Sequence, residues 1–266
     1  MFGTTQVMSQ TYFTLTPMLG LQRCFAKYES GDKPEVFINN TRNDFFHAGL
    51  LIDYHRNRFI YSTGYLLNNV GFGITIKPVV VNPLDSMVSW KTSFASSRET
   101  FSIPIKVGYT LGEVNLFGRK NPTQYVSKST KELKTSSHLI NFKMNIYGGL
   151  IFERLKPSST IGDTLTIFHV KFENQYTVLN RNGITGTLGF TIQFLHRGKE
   201  SLALNFFYHQ GFTKLRQIDL TYTLINDQQT YHTTLISKGT SFGASISYPI
   251  RFWDVDKRRA RKAAGN

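Results

Sequence analysis

Residues 142–152, Phe-Lys-Met-Asn-Ile-Tyr-Gly-Gly-Leu-Ile-Phe, decide the fold class of this chain. Phe142, Met144, Ile146, Leu150 and Phe152 fall on one face. Lys143, Asn145, Tyr147 and Gly149 fall on the other, with Glu153 just beyond. Successive side chains leave a β-strand on opposite sides, so a period of two predicts a strand. The run has about the 9–11 residues that a tilted strand needs to cross a bilayer.

The pattern recurs along the chain. Phe101, Ile103, Ile105, Val107, Tyr109 and Leu111 alternate with Ser102, Pro104, Lys106, Gly108 and Thr110. Ile184, Leu188, Phe190, Ile192 and Phe194 oppose Thr185, Thr187, Gly189, Thr191 and Gln193. Phe242, Ala244, Ile246, Tyr248, Ile250 and Phe252 oppose Ser241, Gly243, Ser245, Ser247, Pro249 and Arg251. Phe46, Ala48, Leu50, Ile52 and Tyr54 form another stripe, and Leu202, Leu204, Phe206 and Tyr208 another, although Phe207 interrupts its polar side. The first stripe, Phe13 to Leu21, includes Pro17, which donates no ladder hydrogen bond and belongs near a rim or bulge.

Alternation alone fits a soluble barrel, apolar inside, as well as a membrane barrel, apolar outside. Volume separates them. The interior of an eight-stranded barrel is just wide enough for side chains to fill, and five or six large apolar residues from every strand would overfill it. The Gly, Ser, Thr and Asn face suits a narrow polar lumen. Charged residues make up 18% of the chain, below the roughly 25% of ordinary soluble domains. The expected fold is therefore all-β: a closed antiparallel transmembrane β-barrel.

The strand signal runs nearly end to end through the 266 residues, which predicts one barrel domain over 11–253. Residues 1–10 carry no charged side chain and include Val7-Met8-Ser9, reading either as the remnant of a signal peptide or as a disordered N-terminus. Residues 254–266 form a basic C-terminal tail, suited to anionic headgroups or cell-wall polymers, or simply solvated. The net charge of +14 also raises nucleic-acid binding, but the basic residues are dispersed and no recognition motif accompanies them, so no nucleic-acid partner is expected. Cys24, the single cysteine, falls on the polar face of the first strand.

Eight strands are expected, at about 12–26, 45–55, 58–77, 100–112, 140–154, 183–196, 200–216 and 229–253. Arg56-Asn57 and Arg197-Gly198-Lys199 make short connections at one end. The connections 27–44, 78–99 and 155–182 are long and polar at the other. This is the asymmetry of periplasmic turns and outer loops. The Ser/Thr/Lys-rich stretch 113–139 is long on the short side and reads as a periplasmic insertion. At Asn68-Asn69 the apolar phase changes from odd (Phe59, Tyr61, Tyr65, Leu67) to even (Val70, Phe72, Ile74, Ile76). A β-bulge would explain this; a turn would instead raise the count to ten.

Several pieces, in this order, resemble the eight-stranded outer-membrane barrel domain common in Bacteroidetes, the broad group that includes PorT-like proteins. They are Phe46-His47-Ala48-Gly49, Ser62-Thr63-Gly64-Tyr65, Ser102-Ile103-Pro104-Ile105, Tyr147-Gly148-Gly149 and Ser245-Ile246-Ser247-Tyr248-Pro249-Ile250. The resemblance covers about residues 12 to 253. It implies a closed barrel in the bacterial outer membrane, in contact with outer-membrane lipid and lipopolysaccharide, and brings no catalytic residues. The 113–139 connection and the tail after Phe252-Trp253 depart from the pattern.

No nucleophile elbow, zinc-protease helix or paired-carboxylate motif is present. His47 with Asp53 is the nearest approach to a catalytic constellation; metal-ligand spacing is lacking, and no cofactor is expected. The inward charges Asp53, Lys106, Lys143, Glu153 and Arg251 are expected to form a lumen charge network, because an unpaired charge in a narrow low-dielectric space is costly. The function expected is structural or loop-mediated binding, with a possible protein partner at the loops or at 113–139. The alternatives are a PorT-like protein-export assembly factor and a lipid-modifying enzyme or small porin.

Overall fold

The structure, a computed structural model, describes residues 11–31, 44–76, 92–115, 123–126, 133–136, 140–156, 161–167, 170–196, 199–224 and 229–255. Residues 1–10 and all but the first two of 254–266, the proposed leader remnant and basic tail, lie outside these.

The chain is all-β. In order the strands are β1 (Thr11–Gly31), β2 (Asp44–Arg56), β3 (Phe59–Ile76), β4 (Thr92–Asn115), β5 (Thr123–Val126), β6 (Leu133–Ser136) and β7 (Ile140–Leu155). Then come β8 (Ile161–Ile167), β9 (Val170–Val178), β10 (Asn182–His196), β11 (Lys199–Gly211), β12 (Arg216–Leu224), β13 (Gln229–Ser247) and β14 (Ile250–Asp254). Eight of them form a ring of antiparallel neighbours, β1-β2-β3-β4-β7-β10-β11-β13, which β13 closes on β1. β5 and β6 pair as a separate hairpin inside the 113–139 connection, at the end of the ring where the short turns lie.

Neither a bulge nor a turn occurs at Asn68-Asn69. β3 pairs with β4 in unbroken register from Leu66↔Ser102 to Ile76↔Thr92. The count of ten strands therefore falls away. Leu66, Asn68 and Val70 are all buried on one face, and Val70 packs with Leu155 and Leu215. At Asn69 the apolar residues of β3 pass from the outer face to the inner one: Tyr65 and Leu67 are exposed, and Val70 is buried.

Both strand prolines lie where no donor is needed. Pro17 faces the break between β13 and β14, where Tyr248 N–H donates to its carbonyl at 3.1 Å. Pro104 lies in the one gap of the β3–β4 ladder, between Thr63↔Ile105 and Leu66↔Ser102. Gly64, across that gap, has φ +151° and could not take a Cβ without meeting the Leu50 carbonyl.

The ring is apolar outside and polar inside. Ile105 (55% exposed), Leu188 (65%) and Ile246 (52%) face outward. Thr14, Ser102 and Thr185, each 0% exposed, face inward with Gln22, Asn145, Ser241 and Ser245. This is the reverse of the soluble-barrel arrangement.

Beyond the ring, at the end opposite the short turns, β13 continues upward and pairs with β12, then β9 and β8. β9 leads into β10, and β12 follows β11 after the irregular residues 212–215, so this extension prolongs ring strands. Here the polarity is ordinary. Ile218, Leu220 and Leu235 are buried on one face. The other face carries Lys171, Glu173 and Gln175 beside Asp219, Thr221, His232 and Thr234, with Thr234 and Gln217 donating to Asp219.

Aromatic side chains mark both ends of the apolar band. At the short-turn end a chain of ring contacts runs Phe252–Phe13–Tyr54–Tyr61–Phe59–Tyr109, with centroids 4.9–6.4 Å apart. At the other end Tyr65 meets Phe101 at 5.7 Å and Phe25 meets Phe242 at 5.5 Å. Lys156 lies 5.2 Å over Phe101, and Arg23 lies 5.7 Å over Phe242.

Candidate functional site

The ring interior is built from the inward positions of eight strands and divides into three levels. At the short-turn end Glu200 Oε1 accepts from Tyr12 Oη at 2.6 Å and from Lys143 Nζ at 3.3 Å. The Tyr12 ring stacks on His55 at 4.3 Å and holds the Arg251 guanidinium 3.6 Å from its centroid. Asp53 Oδ2 accepts from Thr16 at 2.5 Å and Thr14 at 3.3 Å. Two carboxylates are thus desolvated, and each is compensated by hydroxyl donors or a cation.

Above them lies a cavity of about 80 Å³ lined by Asp53, His55, Lys106, Asn145, Tyr147 and Asn205 among others. Lys106 Nζ stands 4.9 Å over the Tyr147 ring. Asn145 accepts from Thr110 at 2.8 Å; Asn205 accepts from Thr191 at 2.8 Å and donates to Ser247 at 2.9 Å. The space is large enough for a few water molecules, and its amides and hydroxyls are suited to partner them. An apolar layer of Leu51, Leu66 and Ile151, each no more than 6% exposed, with Met18 against it, lies across the interior.

At the far end His47 Nδ1 is 2.7 Å from Asn68 Oδ1, and Asn68 donates to Ser102 at 3.3 Å. The Phe207 ring lies 4.6 Å from both His47 and His209. Glu153 Oε2 accepts from Thr185 at 3.0 Å. Gly239, at φ +81°, leaves room for it: a Cβ there would stand 3.0 Å from that oxygen.

Of the five charges expected to share one network, four lie at or next to the short-turn end, and Glu153 stands apart. Asp53 and Lys106 border the same cavity. Lys143 pairs with Glu200. Glu153 is ten residues further along β7, roughly 33 Å at the rise of a strand, and its carboxylate accepts from the Thr185 hydroxyl. Arg251 is at the mouth, stacked on Tyr12 and 3.7 Å from Asp254. His47 and Asp53 are six residues apart on β2, about 20 Å, and form no constellation. Among the described residues no three His, Cys, Asp or Glu side chains are grouped to hold a metal ion.

Sequence reading passed over His55, Glu200 and His209. His55 and His209 were legible, since each continues the inward phase of its strand. Glu200 was not. It is out of phase with Ala203 and Asn205, and it turns inward beside the register shift between Gln193 and Leu195. In comparisons with known proteins, no family model and no curated protein matches the chain.

Proposed function

We propose that this protein is an integral outer-membrane β-barrel with a closed polar lumen, acting as a structural or binding element through the surface at its long-loop end. One observation carries the reading: polarity reverses along individual strands. On β13 the even positions are Ile246, Ala244 and Phe242 within the ring, then Thr240, Lys238, Thr234, His232 and Thr230 beyond it, with only Ile236 buried among them. On the connected pair β11 and β12 the outward residues pass from Leu202, Phe206 and Tyr208 to Gln217, Asp219 and Thr221. A single solvent gives no reason for such a change; hydrocarbon below and water above do.

The dimensions agree. From Phe101 to Tyr109, one aromatic girdle to the other, β4 runs roughly 26 Å, or about 20 Å along the axis at the usual 35–45° tilt. Outer-membrane barrels carry an apolar band about 25 Å tall between aromatic girdles. The resemblance to Bacteroidetes barrels supports the outer membrane as the location. An export-assembly role rests on that resemblance alone.

The test is refolding into phosphatidylcholine liposomes. The expected protein floats with the vesicles, migrates faster unheated than boiled on SDS gels, and keeps a protease-resistant ring. A protein that is monodisperse in detergent-free buffer and ignores liposomes refutes the proposal. Purification in mild detergent then addresses the role: a stoichiometric secretion-machinery partner would favour export assembly.

A further inference from the structure

The outer wall of the ring bears a groove of about 560 Å³ between β3, β4, β7 and β10. Its floor is Tyr65, Phe101, Ile103, Phe152 and Ile184, each about 40–55% exposed. Its upper edge is Arg154, next outward on β7 after Phe152, and Asn182, the partner of Arg154 in the β7–β10 ladder. Arg181 precedes Asn182, and its carbonyl accepts from Leu155 N–H at 2.8 Å, so two exposed arginines are carried on adjacent backbone.

Their neighbours differ in one respect. Lys156 pairs with Glu99. Lys214 pairs with Glu29, and that hydrogen bond holds the Glu29 carboxyl below the usual carboxylate range. Among the described residues no acidic side chain pairs with Arg154 or Arg181. Among the described residues Arg154 thus stands without an acidic partner at the edge of an apolar groove, where apolar wall meets polar extension, and the exposed Arg181 is carried on the adjacent backbone.

We infer that this groove is a binding site for an acylated lipid with a phosphomonoester headgroup, one chain lying on the Ile103–Phe152–Ile184 floor and the phosphate held by Arg154 and Arg181. A phosphomonoester is close to dianionic at neutral pH and presents three oxygens, matching two forked cations better than a zwitterionic diester does. Asn182 adds an amide donor at the same edge. The inference rests on the membrane reading above and names the lipid chemistry that this part of the wall prefers.

The experiment is native mass spectrometry of the folded protein in neutral detergent, titrated with dioleoyl phosphatidic acid or with chain-matched dioleoyl phosphatidylcholine. Folding is first established in phosphatidylcholine liposomes. One phosphatidic acid is expected to be retained about ten-fold or more tightly than phosphatidylcholine, from charge-assisted hydrogen bonds. Arg154→Ala with Arg181→Ala should abolish the preference, while Lys171→Ala, which removes an exposed cation from the extension, should leave it intact. Equal retention of the two lipids, or a preference that survives the double substitution, overturns the site. Displacement of the lipid by equimolar inorganic phosphate overturns the role of the groove. Failure to fold in liposomes would overturn the membrane reading instead, so the two failures are distinguishable.

Discussion

Leu188→Arg separates the two solvents most sharply. Leu188 lies near the middle of β10, outward, between Gly148 of β7 and Tyr208 of β11, and is 65% exposed. If water covered the ring, only about a third of the side chain would have contacts to lose. Full burial of a leucine is worth about 1.5–3 kcal/mol, so the substitution would cost under about 1 kcal/mol, less whatever the arginine stem recovers by lying on the wall. In hydrocarbon the guanidinium itself is the problem, at about 2–4 kcal/mol near the midplane of a barrel. That corresponds to a roughly 30- to 1,000-fold shift in the folding equilibrium. The assay is urea unfolding from phosphatidylcholine liposomes, followed by the gel mobility of the unheated protein. Gln175→Arg, outward on β9 in the extension, is the internal control and should stay within about 0.5 kcal/mol. A Leu188→Arg cost indistinguishable from that control would refute the membrane assignment.

Removing Lys143 alone should destabilise the ring by about 3–5 kcal/mol, because Glu200 is left buried and charged beside Tyr12; Lys143→Met combined with Glu200→Gln should recover most of the loss in a double-mutant cycle of urea unfolding. Gly149→Ala should cost about 1–3 kcal/mol in the same assay, since its Cβ would stand 2.1 Å from the Ile105 carbonyl oxygen and 2.7 Å from Lys106 Cα, whereas Gly112→Ala, with open space around it, should be neutral or slightly stabilising. Planar bilayers containing the pure protein should show no steady conductance steps, because Leu51, Leu66 and Ile151 block the water path beside the small cavity; reproducible steps would revive the porin alternative.

The ring was legible because each of its strands is wetted, or packed against polar groups, on one side only. The period of two is therefore clean: 45–55, 140–154 and 183–196 read from sequence are Asp44–Arg56, Ile140–Leu155 and Asn182–His196 in the structure. The extension was not legible by the same rule. β9 and β12 alternate as regularly, with Ile218 and Leu220 against Gln217, Asp219 and Thr221, but their outer face is polar and charged. Placed among segments chosen for an apolar outer face, they read as loop. Phe207 shows the converse: an apolar residue on the polar side looked like a defect and is a spacer between two buried imidazoles.

The phase change at Asn68-Asn69 joins these points. Read alone, a change in apolar phase means an extra residue or a turn, because the backbone is assumed to keep one relation to one solvent. β3 keeps its register straight through, so on the proposed membrane reading the relation to solvent is what inverts. The inner face passes from Asn68, bonded to His47 and Ser102, to Val70, packed on Leu155 and Leu215. On β13 the matching change falls between Phe242 and Thr240, within the register shift that carries Gly239. On the proposed reading, an inversion at one level on two walls reflects hydrocarbon below and water above. It also bears on where binding can take place. Below that level the interior charges are held locally, Asp53 by threonines, Glu200 by Tyr12 and Lys143, and Glu153 by Thr185. What the ring presents to other molecules is therefore its wall, its boundary cations and the polar sheet raised above them.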